Sequence, residues 1–146
     1  MRFLDANVFV YAYYKPRRRL TPKEEQMKEY AKKIITEVSE GREQVAMTVV
    51  HLSEIVNILK HGLPMDQLNK VIHGLFMLDN VTIMGVSRDA YFAAIELGED
   101  LMLEANDALA IDVMRQNDLK EVYSFDEDFE KLEGITRIPR LSAIHS

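Results

Sequence analysis

Four acids stand where apolar runs begin or end. Asp5 closes the run Met1-Arg2-Phe3-Leu4, and Glu54 stands just after Val45-Ala46-Met47-Thr48-Val49-Val50. Asp107 opens the helical pattern from Asp107 to Met114, and Asp126 ends the strand-like run Val122-Tyr123-Ser124-Phe125. A carboxylate beside a buried apolar run is costly unless something offsets its charge. Carboxylate oxygens are hard ligands that suit Mg2+ or Mn2+. Such a site holds one or two ions. Two ions roughly 4 Å apart can clamp both the attacking and the leaving oxygen of a phosphoryl displacement, so no protein nucleophile is needed.

Each acid also has a purely structural reading. Asp5 could be a strand-end turn residue, and Asp126-Glu127-Asp128 a turn cluster. Glu54 could be a first-turn glutamate favoured by its helix dipole. Asn106-Asp107 could be an N-cap pair. Their shared placement at strand ends and helix starts argues for one cation pocket built from distant segments.

The elements that must position these acids can be read from periodicity. Arg2–Asp5 reads as a short buried strand, and Asn7–Tyr14 is apolar on every side, which implies burial all round. Lys15-Pro16-Arg17-Arg18-Arg19 is a basic loop. Thr21-Pro22-Lys23-Glu24 is a capping box with proline at the first helical position. The helix it opens carries Met27, Tyr30, Ala31, Ile34, Ile35 and Val38 inward and ends near Gly41. A second strand is expected over Gln44–Val50. Leu52, Ile55, Val56 and Leu59 then mark a helix, with Glu54 in its first turn. Leu68, Val71, Ile72, Leu75 and Leu78 mark another. Val81–Val86 is a third strand, and Ser87 caps a helix running to about Gly98. Ala105–Gln116 is a helix, Glu121–Phe125 a fourth strand and Ile135–Ile138 a short fifth.

Strands alternate with helices, and they are continuous apolar runs. That pattern belongs to a parallel sheet covered on both faces, an α/β fold. In open parallel sheets, ligands bind outside the carboxyl ends of the strands. Asp5 and Asp126 sit at such ends. Asp107 lies in a first helical turn, where the dipole favours an anion.

Composition bounds the rest. The chain has 146 residues, 47% of them apolar, which suits one domain over residues 1–146 with one sizeable core. A net charge of -6 excludes loose, charge-driven coating of nucleic acid, though a local basic patch is compatible with it. Without cysteine there are no disulfides and no thiolate metal sites. No run reaches the roughly 18 apolar residues of a membrane span, and no signal-peptide pattern is present. A cytoplasmic protein is expected.

These residues resemble the PIN-domain nucleases, in particular the VapC-like toxins of prokaryotic toxin–antitoxin pairs. Phe3-Leu4-Asp5-Ala6-Asn7-Val8 is similar to the family's first strand and its D-x-N/S start. Leu52-Ser53-Glu54-Ile55 resembles its second acidic motif, and Asn106-Asp107-Ala108-Leu109-Ala110 its third. Tyr123-Ser124-Phe125-Asp126-Glu127-Asp128-Phe129 resembles the closing T/S-x-D-x-D-F motif. The matches fall in family order and span essentially the whole chain.

The resemblance implies a three-layer α/β/α domain with a central, mainly parallel sheet of about five strands. It implies Mg2+- or Mn2+-dependent cleavage of RNA, a cognate antitoxin partner and a homodimer. Asp5, Glu54, Asp107 and Asp126 would be the catalytic, metal-binding acids. Asp126 is favoured as the fourth acid because it ends the strand, with Asp128 as its alternative. Ser124 would position a carboxylate or a water, and Asn7 would orient Asp5.

Other residues flank this set. Arg17, Arg18 and Arg19 could meet RNA phosphates at the mouth of the site, or form a solvated turn, or receive an acidic antitoxin tail. Glu104 is a minor further candidate, three residues before Asp107. Asp112 is about 140° around the helix from Asp107 and points elsewhere. His51 reads as structural. Phe9, Tyr11, Tyr13 and Tyr14 read as core or a dimer face before a base-stacking platform. A haloacid-dehalogenase-type phosphatase is echoed by Asp5-Ala6-Asn7-Val8, but asparagine replaces its general acid. A PIN-like module outside toxin biology, either a nuclease or a catalytically silent RNA binder, is the remaining alternative.

Overall fold

The computed structural model describes residues 1–13 and 16–139. The expectations for Tyr14 and Lys15 lie outside the described residues. The elements are β1 (Arg2–Leu4), α1 (Ala6–Tyr13), α2 (Pro22–Ser39), β2 (Val45–Thr48), α3 (Val49–Leu59) and α4 (Met65–Met77). They continue with β3 (Val81–Met84), α5 (Arg88–Leu101), α6 (Ala105–Gln116), β4 (Glu121–Tyr123), a short 3-10 turn (Glu127–Lys131) and β5 (Thr136–Ile138). Among the described residues, no helix is long and apolar enough to cross a membrane.

The sheet order is β3-β2-β1-β4-β5, and every neighbouring pair is parallel. From β1 the chain steps outward to β2 and β3. It then crosses back and adds β4 and β5 on the other side of β1. The direction of winding therefore reverses between β1 and β4. In an open parallel sheet this reversal leaves a crevice at the carboxyl ends of the two strands.

Alternation along each strand sends successive side chains to opposite faces. Phe3 and Val122 pack with Ala110, Ile111 and Met114 of α6 and with Leu97 and Leu101 of α5. Leu4 and Tyr123 pack on the other face with residues of α1, α2, α3 and α4. The result is three layers, as the patterning implied.

Several boundaries differ from expectation, among them β3, which stops at Met84 instead of Val86, and two of the differences bear on the acids. Strand β2 stops at Thr48 because the Thr48 hydroxyl accepts the His51 backbone N–H at 3.2 Å and caps α3. Val49 and Val50 are therefore helical despite their β propensity. Glu54 consequently lies in the second turn of α3 and not the first, beyond the reach of the helix dipole. Strand β4 stops at Tyr123, so Asp126 stands beyond the strand and caps the 3-10 turn. Helix α1 is also less enclosed than its composition implied. Ala6, Val8, Phe9 and Ala12 are buried, while Asn7, Val10, Tyr11 and Tyr13 remain half-buried. Tyr11 packs edge-on against Phe125, and Phe9 stacks on Tyr13, so these rings serve packing.

One glycine sets how closely α5 and α6 approach. A Cβ on Gly98 would lie 2.7 Å from the Leu103 carbonyl oxygen and 3.4 Å from Ala108 Cβ. The bond from Leu103 N to Gly98 O, at 2.9 Å, closes this corner. Gly98→Ala should therefore destabilise the fold by about 1–3 kcal/mol through overpacking. The sign is opposite to the ~1 kcal/mol gain that alanine's helix propensity alone would give. Urea denaturation of the two proteins checks it.

Candidate metal centre

Residues just beyond the ends of β1 and β4 line the crevice between them. Asp5 is only 6% exposed, and its backbone N–H donates to the Tyr123 carbonyl at 3.0 Å. The Ser124 hydroxyl donates to Asp5 Oδ2 at 2.7 Å. The same hydroxyl accepts from Asn7 Nδ2 at 3.3 Å and from the Asp126 backbone N–H at 3.0 Å. A hydroxyl has one donor and two acceptor sites, so Ser124 is saturated. It positions a carboxylate and has no capacity left for a water. Asn7 also accepts the Phe125 N–H at 3.2 Å. It thus fixes the turn after β4 and reaches Asp5 through Ser124.

Glu54 and Asp107 arrive from α3 and α6. The two helices are joined by His51, which is 1% exposed. His51 Nε2 lies 3.0 Å from the Asn106 carbonyl and must donate to it. Nδ1 then accepts from the Thr48 hydroxyl at 2.6 Å. Burial holds His51 neutral, pushing its pKa down to about 4. The Asn106 side chain donates from Nδ2 to Glu54 Oε1 at 2.7 Å. Asp107 follows in the first turn of α6.

Electrostatics shows that these segments converge. Burial, together with the charges of Glu54 and Asp126, raises Asp5 from 3.8 to about 6. Burial and the charges of Asp5, Asp126 and Glu54 raise Asp107 to about 8, helped by its hydrogen bond to Asp126. Glu54 is also raised, mainly by burial. Carboxylates this close resist ionising together. One oxygen each from Asp107, Asp126 and Asp128 lies within 4.8 Å of the others. An all-oxygen group with this much mutual repulsion fits a hard divalent cation, which would supply the missing positive charge.

A PIN-domain family model matches residues 2–135. The chain belongs to the PIN domain family. Among solved structures, the Mycobacterium tuberculosis toxin VapC20, described as cleaving the sarcin–ricin loop, is similar at a TM-score of 0.64 and 18% identity. That match covers 90% of this chain and 94% of the toxin. A Klebsiella pneumoniae toxin–antitoxin complex and Rickettsia felis VapBC2 bound to promoter DNA each match at 0.60 and 14% identity. Each covers 93% of this chain and 96% of the other. At these identities the likeness is one of fold. Comparison with curated proteins returns no significant match.

Of the acids the PIN motifs mark, Asp107, Asp126 and Asp128 are the three whose oxygens meet within 4.8 Å. Asp5, bonded to Ser124, and Glu54, bonded to Asn106, lie outside that trio but near enough for their charges to raise Asp107. Asp126 and Asp128 both place an oxygen beside Asp107, so the geometry does not choose between them. Asp126 Oδ1 also accepts the Asp128 N–H at 2.9 Å, while Asp128 pairs with Lys131 at 3.2 Å. Glu104 is the exposed N-cap of α6, near enough to raise Glu54. Asp112 accepts from Gln116 at 3.2 Å, outside the cluster. In the basic loop, Arg18 forms a two-pronged pair with Glu24 at 2.8 and 2.7 Å, while Arg17 and Arg19 are exposed.

Two supports of the site escaped sequence reading. One is Asn106, expected to cap α6 in a pair with Asp107 but lying inside the helix, where Glu104 is the N-cap and Asn106 instead bonds Glu54. The other is Arg137 of β5, whose side chain is fully buried. Arg137 donates to the Ser124 carbonyl at 3.2 Å and pairs with Glu130, bracing the segment that carries Asp126 and Asp128. Nε of Arg137 already lacks a partner. Glu130→Ala should leave this buried guanidinium uncompensated and cost about 3 kcal/mol, readable by chemical denaturation. A loss under about 0.5 kcal/mol would show that the pair is an ordinary surface contact.

Proposed function

We propose that this PIN domain is an Mg2+- or Mn2+-dependent endoribonuclease, hydrolysing RNA phosphodiester bonds as the toxin of a type II toxin–antitoxin pair. The observation that carries the reading is the meeting of Asp107, Asp126 and Asp128 within 4.8 Å of one another, with Asp5 and Glu54 near enough for their charges to act on Asp107. In this reading Asp5, Glu54, Asp107, Asp126 and Asp128 hold the ion. When bound, it offsets negative charge developing at the scissile phosphate. Ser124 and Asn7 hold Asp5 and the turn after β4 in register. Arg17 and Arg19, with Arg18 next to its Glu24 pair, give the chain a basic surface for RNA phosphates despite its net negative charge.

The toxin assignment draws support from the similar structures, one a toxin that cleaves the sarcin–ricin loop and two toxin–antitoxin assemblies. A cytoplasmic homodimer with a cognate antitoxin is the form this reading implies. A catalytically silent RNA-binding module is disfavoured, because such a module has no use for this many repelling acids. The test uses purified protein and structured RNA with Mg2+ or Mn2+. Cleavage that EDTA stops and added metal restores is expected. Metal-independent cleavage, or none with either ion, would refute the proposal.

A further inference from the structure

One chain of hydrogen bonds enters the acidic site from a helix that carries none of its acids. The Tyr91 hydroxyl, half-buried on α5, donates to Asn106 Oδ1 at 2.6 Å. Asn106 Nδ2 donates in turn to Glu54 Oε1 at 2.7 Å. The Asn106 backbone is fixed separately through its carbonyl, which accepts from the buried His51. With the backbone held, the remaining freedom of Asn106 is rotation of its amide. An ionised Glu54 is acceptor-only, so it demands the NH2 end of that amide. Tyr91 supplies the complementary donor on the oxygen end. A flipped amide would aim its oxygen at the carboxylate.

Glu54 needs such help more than the other acids. It projects from the second turn of α3, without a dipole to hold it. Asp5 has the Ser124 hydroxyl, and Asp126 caps the 3-10 turn. Among the described residues, the hydrogen bond that orients the Glu54 carboxylate comes from Asn106. An aspartate in place of Asn106 would set like charge against it.

We propose that Asn106 and Tyr91 are positioning residues for the metal-binding carboxylate of Glu54, with Tyr91 acting through the Asn106 amide. The proposal rests on the reading of Glu54 as a metal ligand. Groups that orient a ligand from behind typically contribute 10- to 100-fold in metal affinity. A single neutral hydrogen bond one step further back is worth about 2- to 10-fold.

The test is the Mn2+ dissociation constant, by titration calorimetry, of wild type, Asn106→Ala, Tyr91→Phe and the double variant. Asn106→Ala should weaken binding about 10- to 100-fold, and Tyr91→Phe about 2- to 10-fold. The double variant should bind no more weakly than Asn106→Ala alone, because Tyr91 has nothing left to act on. Losses that simply multiply, or a Tyr91→Phe protein that binds as wild type does, would overturn the relay while leaving the metal site standing. A wild-type protein that binds no Mn2+ would instead overturn the metal reading, and the relay with it. If Asn106→Ala does not fold, Tyr91→Phe decides alone through the Asn106 side-chain amide protons in metal-free protein. These should exchange faster with solvent than in wild type; unchanged protection would overturn the relay.

Discussion

Asp107→Asn should lower RNA cleavage on the order of a thousand-fold, since ion-based charge stabilisation is worth several kcal/mol. The metal-free variant should nevertheless be more stable than wild type. Asp107 sits among Asp5, Asp126 and Glu54, and all three oppose its ionisation. Asparagine keeps the shape and removes the repulsion. Loss of activity with a raised melting temperature cannot come from misfolding. Parallel loss of activity and stability would mean that Asp107 is a structural residue. Asp5→Asn should also stop cleavage. Its effect on stability is less clean to read, because the amide must still satisfy the saturated Ser124 hydroxyl.

The second large effect is a dependence of stability on pH that added metal opposes. Asp5 and Asp107 have folded pKa values raised to about 6 and about 8, from 3.8. Between the ordinary and the raised values the folded protein binds more protons than the unfolded chain. Stability from these groups is therefore full at low pH and lost as pH rises through the raised values. His51 works the other way. Its folded pKa of about 4 lies below 6.5, so it adds stability as pH rises between those two. The opposing contributions overlap below pH 6.5 and separate above it. From pH 6.5 to about 8 the metal-free protein should lose stability, chiefly through Asp107. Asp107→Asn should remove most of that slope.

Divalent metal needs the ionised carboxylates, so its affinity rises over the same interval. At a hundredfold excess over its dissociation constant, Mn2+ should add about 2.7 kcal/mol. The gain in melting temperature should be larger at pH 8 than at pH 6. Equal gains at both would mean that the ion binds away from these acids.

Much of the fold was readable along the chain because the strands are short and apolar, and β1 and β4 lead into an acid within three residues. The capping box at Thr21 and Glu24 and the cap at Ser87 come from local chemistry that the fold leaves unchanged. Local propensity misled at Val49 and Val50, where a capping hydroxyl on Thr48 outweighs β-branching. It also placed Asp126 at the end of a strand that stops at Tyr123. The acids themselves were visible because carboxylates beside apolar runs are conspicuous. Their supports were not. Asn106 bonds Glu54 across 52 positions, and Arg137 reaches back to Ser124 from an edge strand. An asparagine at a helix start and an arginine in a short edge strand have no periodicity that announces a partner. Only tertiary packing gives them one: the approach of α6 to α3 for Asn106, and the pairing of β5 with β4 for Arg137.

The central claim is that acids from separate stretches of the chain line one divalent-cation site. Crystals soaked in Mn2+ and measured at the manganese absorption edge test it directly. The expected result is an anomalous peak in the crevice between β1 and β4, within coordination distance of Asp107 and at least one of Asp5, Asp126 or Asp128. A fully soaked crystal with no peak there, or with its only peak elsewhere on the surface, would contradict it.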